Sequence, residues 1–391
     1  MATFYNFQDA IMSNYVKSIS VTGLYGRFDL DLEFYPGVNV LYGKNGSGKT
    51  TLLHILANAL NGDYERFAYL HFNSINIELD DGVAFVIRPQ NLIDHIENPP
   101  SPRPTAYFPA FRSMIEAWGS VASLDDHLNP DAQRTDFSRN LFGKFVPRLN
   151  YPSIIDLQKM IRGHIQNVFG LLTKKERQKL SIAEGVREKI QAYDEIMIKM
   201  LENESAVLSQ VNKTLDPYLA QVNRFLSGKQ AILHLLPLEE YLFQGRGIMI
   251  SHNGIVIDEK TPLKLKFDGD GHYEALNALS SGERQIMTML YATSRMSQSE
   301  VILIDEPEIS FHVDWQRLLL REMSKQLTSR QIIVCTHSPI IWANHVGRTM
   351  ELTPSATPIK FENKNKVYVE NVLPRMDHDL RLRGGLNSYL M

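Results

Sequence analysis

Polar and apolar residues alternate along "FDLDLEF", which predicts a strand with one buried face within 15–42, a stretch rich in β-branched and aromatic residues. Pro36-Gly37 marks a turn, and "VNVLY" after it reads as a short apolar strand. The pattern then changes period: "TLLHILANAL" carries apolar residues at helical spacing. Between strand and helix lies "GKNGSGKT". Residues 68–90 suggest a hairpin turning at Asp81-Gly82. "ENPPSPRP" is an irregular loop, and "TAYFPAFRS" is a strand leaving it.

From about 151 to 228 the strand signals stop. Lys174 to Asp216 holds no proline and one glycine, Gly185. Leu180, Val186, Ile190, Tyr193, Met197, Leu201, Leu208 and Val211 recur at a spacing of roughly three to four. This predicts a helical insertion of two amphipathic helices; no heptad is sustained to make it a coiled coil. Strands return over 231–268, with a hairpin at Asn253-Gly254 in "IMISHNGIVI". "VILIDEPE" and "QIIVCTHSP" read as buried strands of a parallel sheet, each ending in a polar tip.

The 391 residues allow two or three domains, or one large domain with an insertion. Lys plus Arg number 41 and Asp plus Glu 44, a net charge of −3, so no global field argues for nucleic acid or an anionic membrane. Cys335 is the only cysteine, which excludes an intramolecular disulfide and a cysteine zinc cluster. No run of 18 apolar residues occurs, and the first residues lack a signal-peptide apolar region. A cytoplasmic protein with no membrane partner is expected.

The chemistry sits in four short motifs. "GKNGSGKT" fits G-x-x-x-x-G-K-[ST] in the strand–loop–helix context that phosphate binding needs. Backbone N–H groups of Asn45, Gly46, Ser47, Gly48, Lys49, Thr50 and Thr51 would cradle phosphates, helped by the helix N-terminus. Lys49 supplies a point charge for the β- and γ-phosphates of ATP, and Thr50 a hydroxyl for Mg2+. At the end of "VILID", Asp305 is the second expected Mg2+ residue, and Glu306 is placed to orient and deprotonate an attacking water. Glu308 is assigned no role. His337, at another strand end, is a candidate γ-phosphate sensor. The fourth motif, "LSSGERQ", has two readings. Ser281 and Gly282 at a helix start could bind a phosphate. Taken alone, the motif favours the other: Ser280 as an N-cap with Glu283 as its capping-box partner.

In that order and spacing, the four motifs resemble the ABC-type ATPase heads, over roughly residues 15–112 and 230–345. The resemblance implies an α/β ABC-type ATPase head: a mixed sheet with an antiparallel β lobe and a P-loop core, bearing a helical insertion. Residues 1–112 and 230–391 would form the head and 113–229 the insertion. It further implies that Ser281 and Gly282 touch ATP held by a second copy, so two heads sandwich two nucleotides. The signature departs from the transporter form L-S-G-G-Q, reading L-S-S-G-E, and no Q-loop glutamine is evident; Arg112 in "YFPAFR" stands in that place. "DEPEISFHVDWQ" and "THSP" resemble a narrower group: SMC-like AAA-family ATPases of prokaryotic defence systems and the overcoming-lysogenization-defect (OLD) nucleases. Val313 replaces the proline usual after their histidine. About 50 residues follow Pro339, and "MDHD" is an isolated pair of acids, so no Toprim nuclease domain is expected.

The resemblance to stand-alone ATPases of the Septu, retron or PARIS kind implies an anti-phage sensor or scaffold, controlling a separately encoded nuclease or toxin. The competing readings are a DNA-repair or chromosome-structure ATPase clamping DNA between paired heads, and the energising subunit of a transporter. The long insertion and missing Q-loop disfavour the transporter.

Overall fold

The computed structural model describes residues 15–112, 130–151, 153–154, 156–164, 212–233, 235–237, 255–257, 262–269, 272–327, 330–343 and 349–356. The chain divides into two compact units: 1–150 with 299–320 and 327–391, and 151–298 with 321–326.

The first unit holds two five-stranded sheets. In one, the order is Ser355–Ala356, Phe28–Glu33, Val16–Leu24, Ser74–Leu79, Ala84–Ile87, and every pairing is antiparallel. Its alternation is as expected: Leu30 and Phe34 are buried, while Asp31 and Glu33 are exposed. The Asp81-Gly82 turn is also where expected, with Gly82 at φ 82° and Leu79 N–H donating to Val83 O at 2.8 Å. The hairpin begins later than expected, because Tyr64–Tyr69 forms a 3-10 helix that buries Tyr64 and Phe67.

The other sheet runs Thr349–Glu351, Val38–Tyr42, Gln331–Thr336, Val301–Asp305, Thr105–Phe108, and every pairing is parallel. The expected mixture of pairings is thus segregated: one sheet is wholly parallel and the other wholly antiparallel. Val301–Asp305 and Gln331–Thr336 are buried at every residue, as strands covered on both faces must be. Asn39 is the polar exception in Val38–Tyr42. It is fully buried because its amide accepts from Tyr35 N–H at 2.8 Å and donates to Tyr35 O at 2.7 Å, closing the Pro36-Gly37 turn. The helix Lys49–Leu60 packs against Val301–Asp305 and Thr105–Phe108, burying Leu52, Leu53, Ile55 and Leu56.

In the second unit, Tyr273–Ala275, Leu263–Phe267 and Lys229–Leu233 form an antiparallel sheet. Gln158 ties helical residues 156–164 to this sheet's centre, donating to Leu263 O and accepting from Leu263 N–H, both at 3.1 Å. Ile255–Ile257 pairs with Leu235–Pro237. The expected Asn253-Gly254 turn, and the helical positions from Leu180 to Val211, lie outside the described residues.

Candidate functional site: a phosphate loop joined to an acidic strand end

The parallel sheet sets the geometry. Val38–Tyr42, Gln331–Thr336 and Val301–Asp305 are adjacent and parallel, so their C-terminal ends emerge side by side. The phosphate loop, His337 and the Asp305-Glu306 pair are therefore brought to one edge. This is where ligands of open α/β sheets bind.

The loop conformation depends on glycine at particular places. Gly46 and Gly48 have φ of 79° and 93°, which side chains other than glycine adopt at a cost. A Cβ on Gly43 would lie 2.9 Å from Leu352 O and 3.0 Å from Ser47 Oγ. Asn45 and Gly46 are exposed at the crown of the loop, whereas Ser47 is buried and its Oγ has no hydrogen-bond partner. Lys49 opens the helix and folds back across the loop; its Nζ donates to Gly43 O at 2.9 Å and Lys44 O at 3.1 Å. Thr51 Oγ1 lies 3.1 Å from the hydroxyl of the exposed Tyr25.

Thr50 Oγ1 donates to Asp305 Oδ2 at 2.8 Å. The two expected metal residues therefore touch. Asp305 is 1% exposed, and its Oδ1 is buried without a partner. Burial pushes its carboxyl up to about 6. The nearby Glu306 and Glu308 charges add to that, while the Thr50 hydrogen bond and Arg112 oppose it. An orphaned, desolvated carboxylate oxygen beside a threonine hydroxyl is the donor set that hard Mg2+ takes alongside phosphate oxygens and water. The residues present fit that ion.

Glu306 follows at φ 46°, in the left-handed region, with its N–H donating to Cys335 O at 2.8 Å. Its carboxylate lies 3.6 Å from His337 Nε2. Both side chains are about one-third exposed, at 31% and 35%. The expected base and sensor are thus neighbours at the sheet edge.

Ser281 and Gly282 begin the helix Ser281–Thr293 in the second unit. The capping box is present: Ser280 Oγ accepts from Glu283 N–H at 3.3 Å, and Glu283 Oε2 accepts from Ser280 N–H at 2.7 Å. Lys229 Nζ, 3.0 Å away, neutralises the Glu283 carboxylate. The cap uses neither Ser281 nor Gly282; Ser281 is exposed and Gly282 buried.

Residues 195–343 match a family model described as an AAA domain, putative AbiEii toxin, Type IV TA system; residues 19–98 match one described as an AAA domain. The chain carries AAA-family ATPase domains. Similar solved structures include the Pyrococcus furiosus Smc head with an extended coiled coil bound to the C-terminal domain of ScpA. That pair is 13% identical with a TM-score of 0.39, covering 91% of this chain and 99% of that one. A RecF–ATP recombination mediator structure is 13% identical with a TM-score of 0.33, covering 88% and 99%. No helix among the described residues is long and apolar enough to cross a membrane.

Two residues behave differently from their sequence reading. Arg112, marked as a stand-in for a Q-loop glutamine, is buried at 1% exposure. Its guanidinium donates to the carbonyls of Pro109, Asp305, Glu306, Pro307 and Ile309 at 3.1–3.4 Å. Arg112 braces the turn that holds Glu306. Glu308, given no role, accepts from Thr336 Oγ1 at 2.8 Å, from His337 N–H at 2.6 Å and from Ser338 N–H at 3.0 Å. A charge three residues past a strand end reads as solvated surface, so only the parallel neighbour strand could reveal these partners.

Proposed function

We propose that the chain binds and hydrolyses Mg-ATP and works as an ATP-sandwich homodimer or higher homo-oligomer. The supporting observation is the Thr50–Asp305 hydrogen bond, which joins the phosphate loop to the acidic strand end. Lys49 and the backbone of 45–51 bind the phosphates, with Lys49 exchanging its two loop carbonyls for phosphate oxygens. Thr50 and Asp305 hold Mg2+, which neutralises charge developing on the phosphates when bound. Glu306 orients the attacking water and takes its proton, and His337 contacts the γ-phosphate. Ser281 and Gly282 read the nucleotide of the partner copy through an N-terminus their own cap leaves accessible.

We further infer a role as sensor or scaffold of an anti-phage system, controlling a separately encoded toxin or nuclease. The toxin-antitoxin description of the family matched over 195–343 favours this reading. The test is the native mass of Glu306→Gln, purified from its own host with and without Mg-ATP. An ATP-dependent step to a dimer or larger assembly is expected, with a co-purifying effector chain. A monomer that binds ATP and never assembles overturns the sandwich. Assembly with DNA in place of a protein partner replaces the defence reading with a DNA clamp.

A further inference from the structure

Glu308 lies on the turn after Val301–Asp305, and its carboxylate reaches the next strand. Oε2 accepts from Thr336 Oγ1 at 2.8 Å, and Oε1 accepts from the N–H groups of His337 at 2.6 Å and Ser338 at 3.0 Å. The clamp has two further stays. Ser338 N–H also donates to Thr336 Oγ1 at 2.9 Å, and Ser338 Oγ hydrogen-bonds Gln316 Oε1 at 2.7 Å. From the other side, Glu306 N–H donates to Cys335 O at 2.8 Å. The turn carrying Glu306 and the strand end carrying His337 are thus stitched together in both directions. The imidazole is left 3.6 Å from the Glu306 carboxylate.

We propose that Glu308 is a positioning residue: it fixes the backbone of 336–338 so that His337 faces Glu306 and the γ-phosphate. It touches neither nucleotide nor metal. This inference rests on the ATPase reading above. Charge-assisted bonds to backbone N–H groups are short and directional, so they hold a loop where neutral contacts would let it sway. A carboxylate kept for metal or proton chemistry must be ionisable. A carboxylate kept as a clamp need only accept, and an amide can do that. In Glu308→Gln the amide oxygen can accept from both backbone N–H groups while its NH2 donates to a rotated Thr336 hydroxyl.

The experiment compares steady-state hydrolysis of Mg-ATP by wild type, Glu306→Gln, Glu308→Ala and Glu308→Gln. Glu308→Ala is expected to lower kcat on the order of 10²-fold with KM little changed, as for a misplaced catalytic group. Glu308→Gln is expected to stay within about threefold of wild type, the worth of weakened hydrogen bonds. Glu308→Gln that is as slow as Glu306→Gln overturns the clamp and makes Glu308 chemical. Wild-type kcat in Glu308→Ala overturns it also. If Glu308→Ala does not fold, the Glu308→Gln rate alone decides. Wild type that fails to hydrolyse ATP, or Glu306→Gln that hydrolyses it normally, counts against the ATPase reading and not against the clamp. In that event the clamp is judged by His337 ring NMR shifts, which Glu308→Ala should move and Glu308→Gln should not.

Discussion

Thr50 Oγ1 and Asp305 Oδ2 meet at 2.8 Å although 255 positions separate them in the chain. One lies at the start of the phosphate-loop helix and the other ends a strand buried at all of its residues. The hydrogen bond satisfies one carboxylate oxygen and leaves Oδ1 desolvated.

That arrangement sets a pH dependence. Burial lifts the Asp305 carboxyl from its ordinary 3.8 to about 6, so the folded chain holds this proton more tightly than the unfolded chain. The resulting stability is complete below pH 3.8 and is lost as pH rises through about 6. At neutral pH the ionised group costs the metal-free protein on the order of 3 kcal/mol. Asp305→Asn should therefore raise the Tm of the free protein at pH 7.5 and abolish the extra stabilisation by Mg-ATP. Stabilisation of the parent by Mg2+ in the presence of ATP should be weaker at pH 5 than at pH 7.5, because the ion must displace the proton. Thermal unfolding at the two pH values checks both; an Asp305→Asn protein still protected by Mg-ATP counts against Asp305 as a metal residue.

Lys49→Ala should leave the fold intact and remove nucleotide binding. Lys49 Nζ bonds only to the loop carbonyls of Gly43 and Lys44 in the described contacts, so its loss frees groups near solvent. Isothermal titration with ATP checks this, and retained tight binding contradicts the phosphate-loop assignment.

Ser281→Arg should preserve binding of ATP by a single chain and block assembly. Ser281 is exposed, and the capping box uses Ser280 and Glu283, so the substitution adds bulk without removing the cap. Light scattering with Mg-ATP in a Glu306→Gln background reads the outcome. Assembly equal to the Glu306→Gln parent returns Ser281 to an ordinary helix start.

Arg112→Lys should destabilise the protein by roughly 2–3 kcal/mol, since an ammonium cannot serve the carbonyls that the guanidinium reaches. Turnover should fall with it, because Glu306 sits in the left-handed region at φ 46° only while that turn is held. Urea unfolding together with kcat checks the pair. Unchanged stability removes Arg112 as the brace.

Much of the site was legible because its chemistry is local. The glycine spacing of "GKNGSGKT" predicts its own loop conformation, since Gly46 and Gly48 stand where the backbone takes positive φ. "VILID" and "QIIVC" read as buried parallel strands because nothing polar interrupts them. The Ser280 cap was likewise visible from the three-residue spacing to Glu283.

Tertiary structure decided whatever depends on which strands become neighbours. "TAYF" carries no mark that it will pair with Val301–Asp305, yet that pairing delivers Arg112 to the carbonyls of residues 305–309. Nothing beside Glu308 in the chain suggests Thr336 or the N–H groups of His337 and Ser338 as partners. Side-chain type and local spacing are written in the sequence. Which groups each carboxylate meets is set by strand order, because a side chain's partners lie across the sheet and not along the chain.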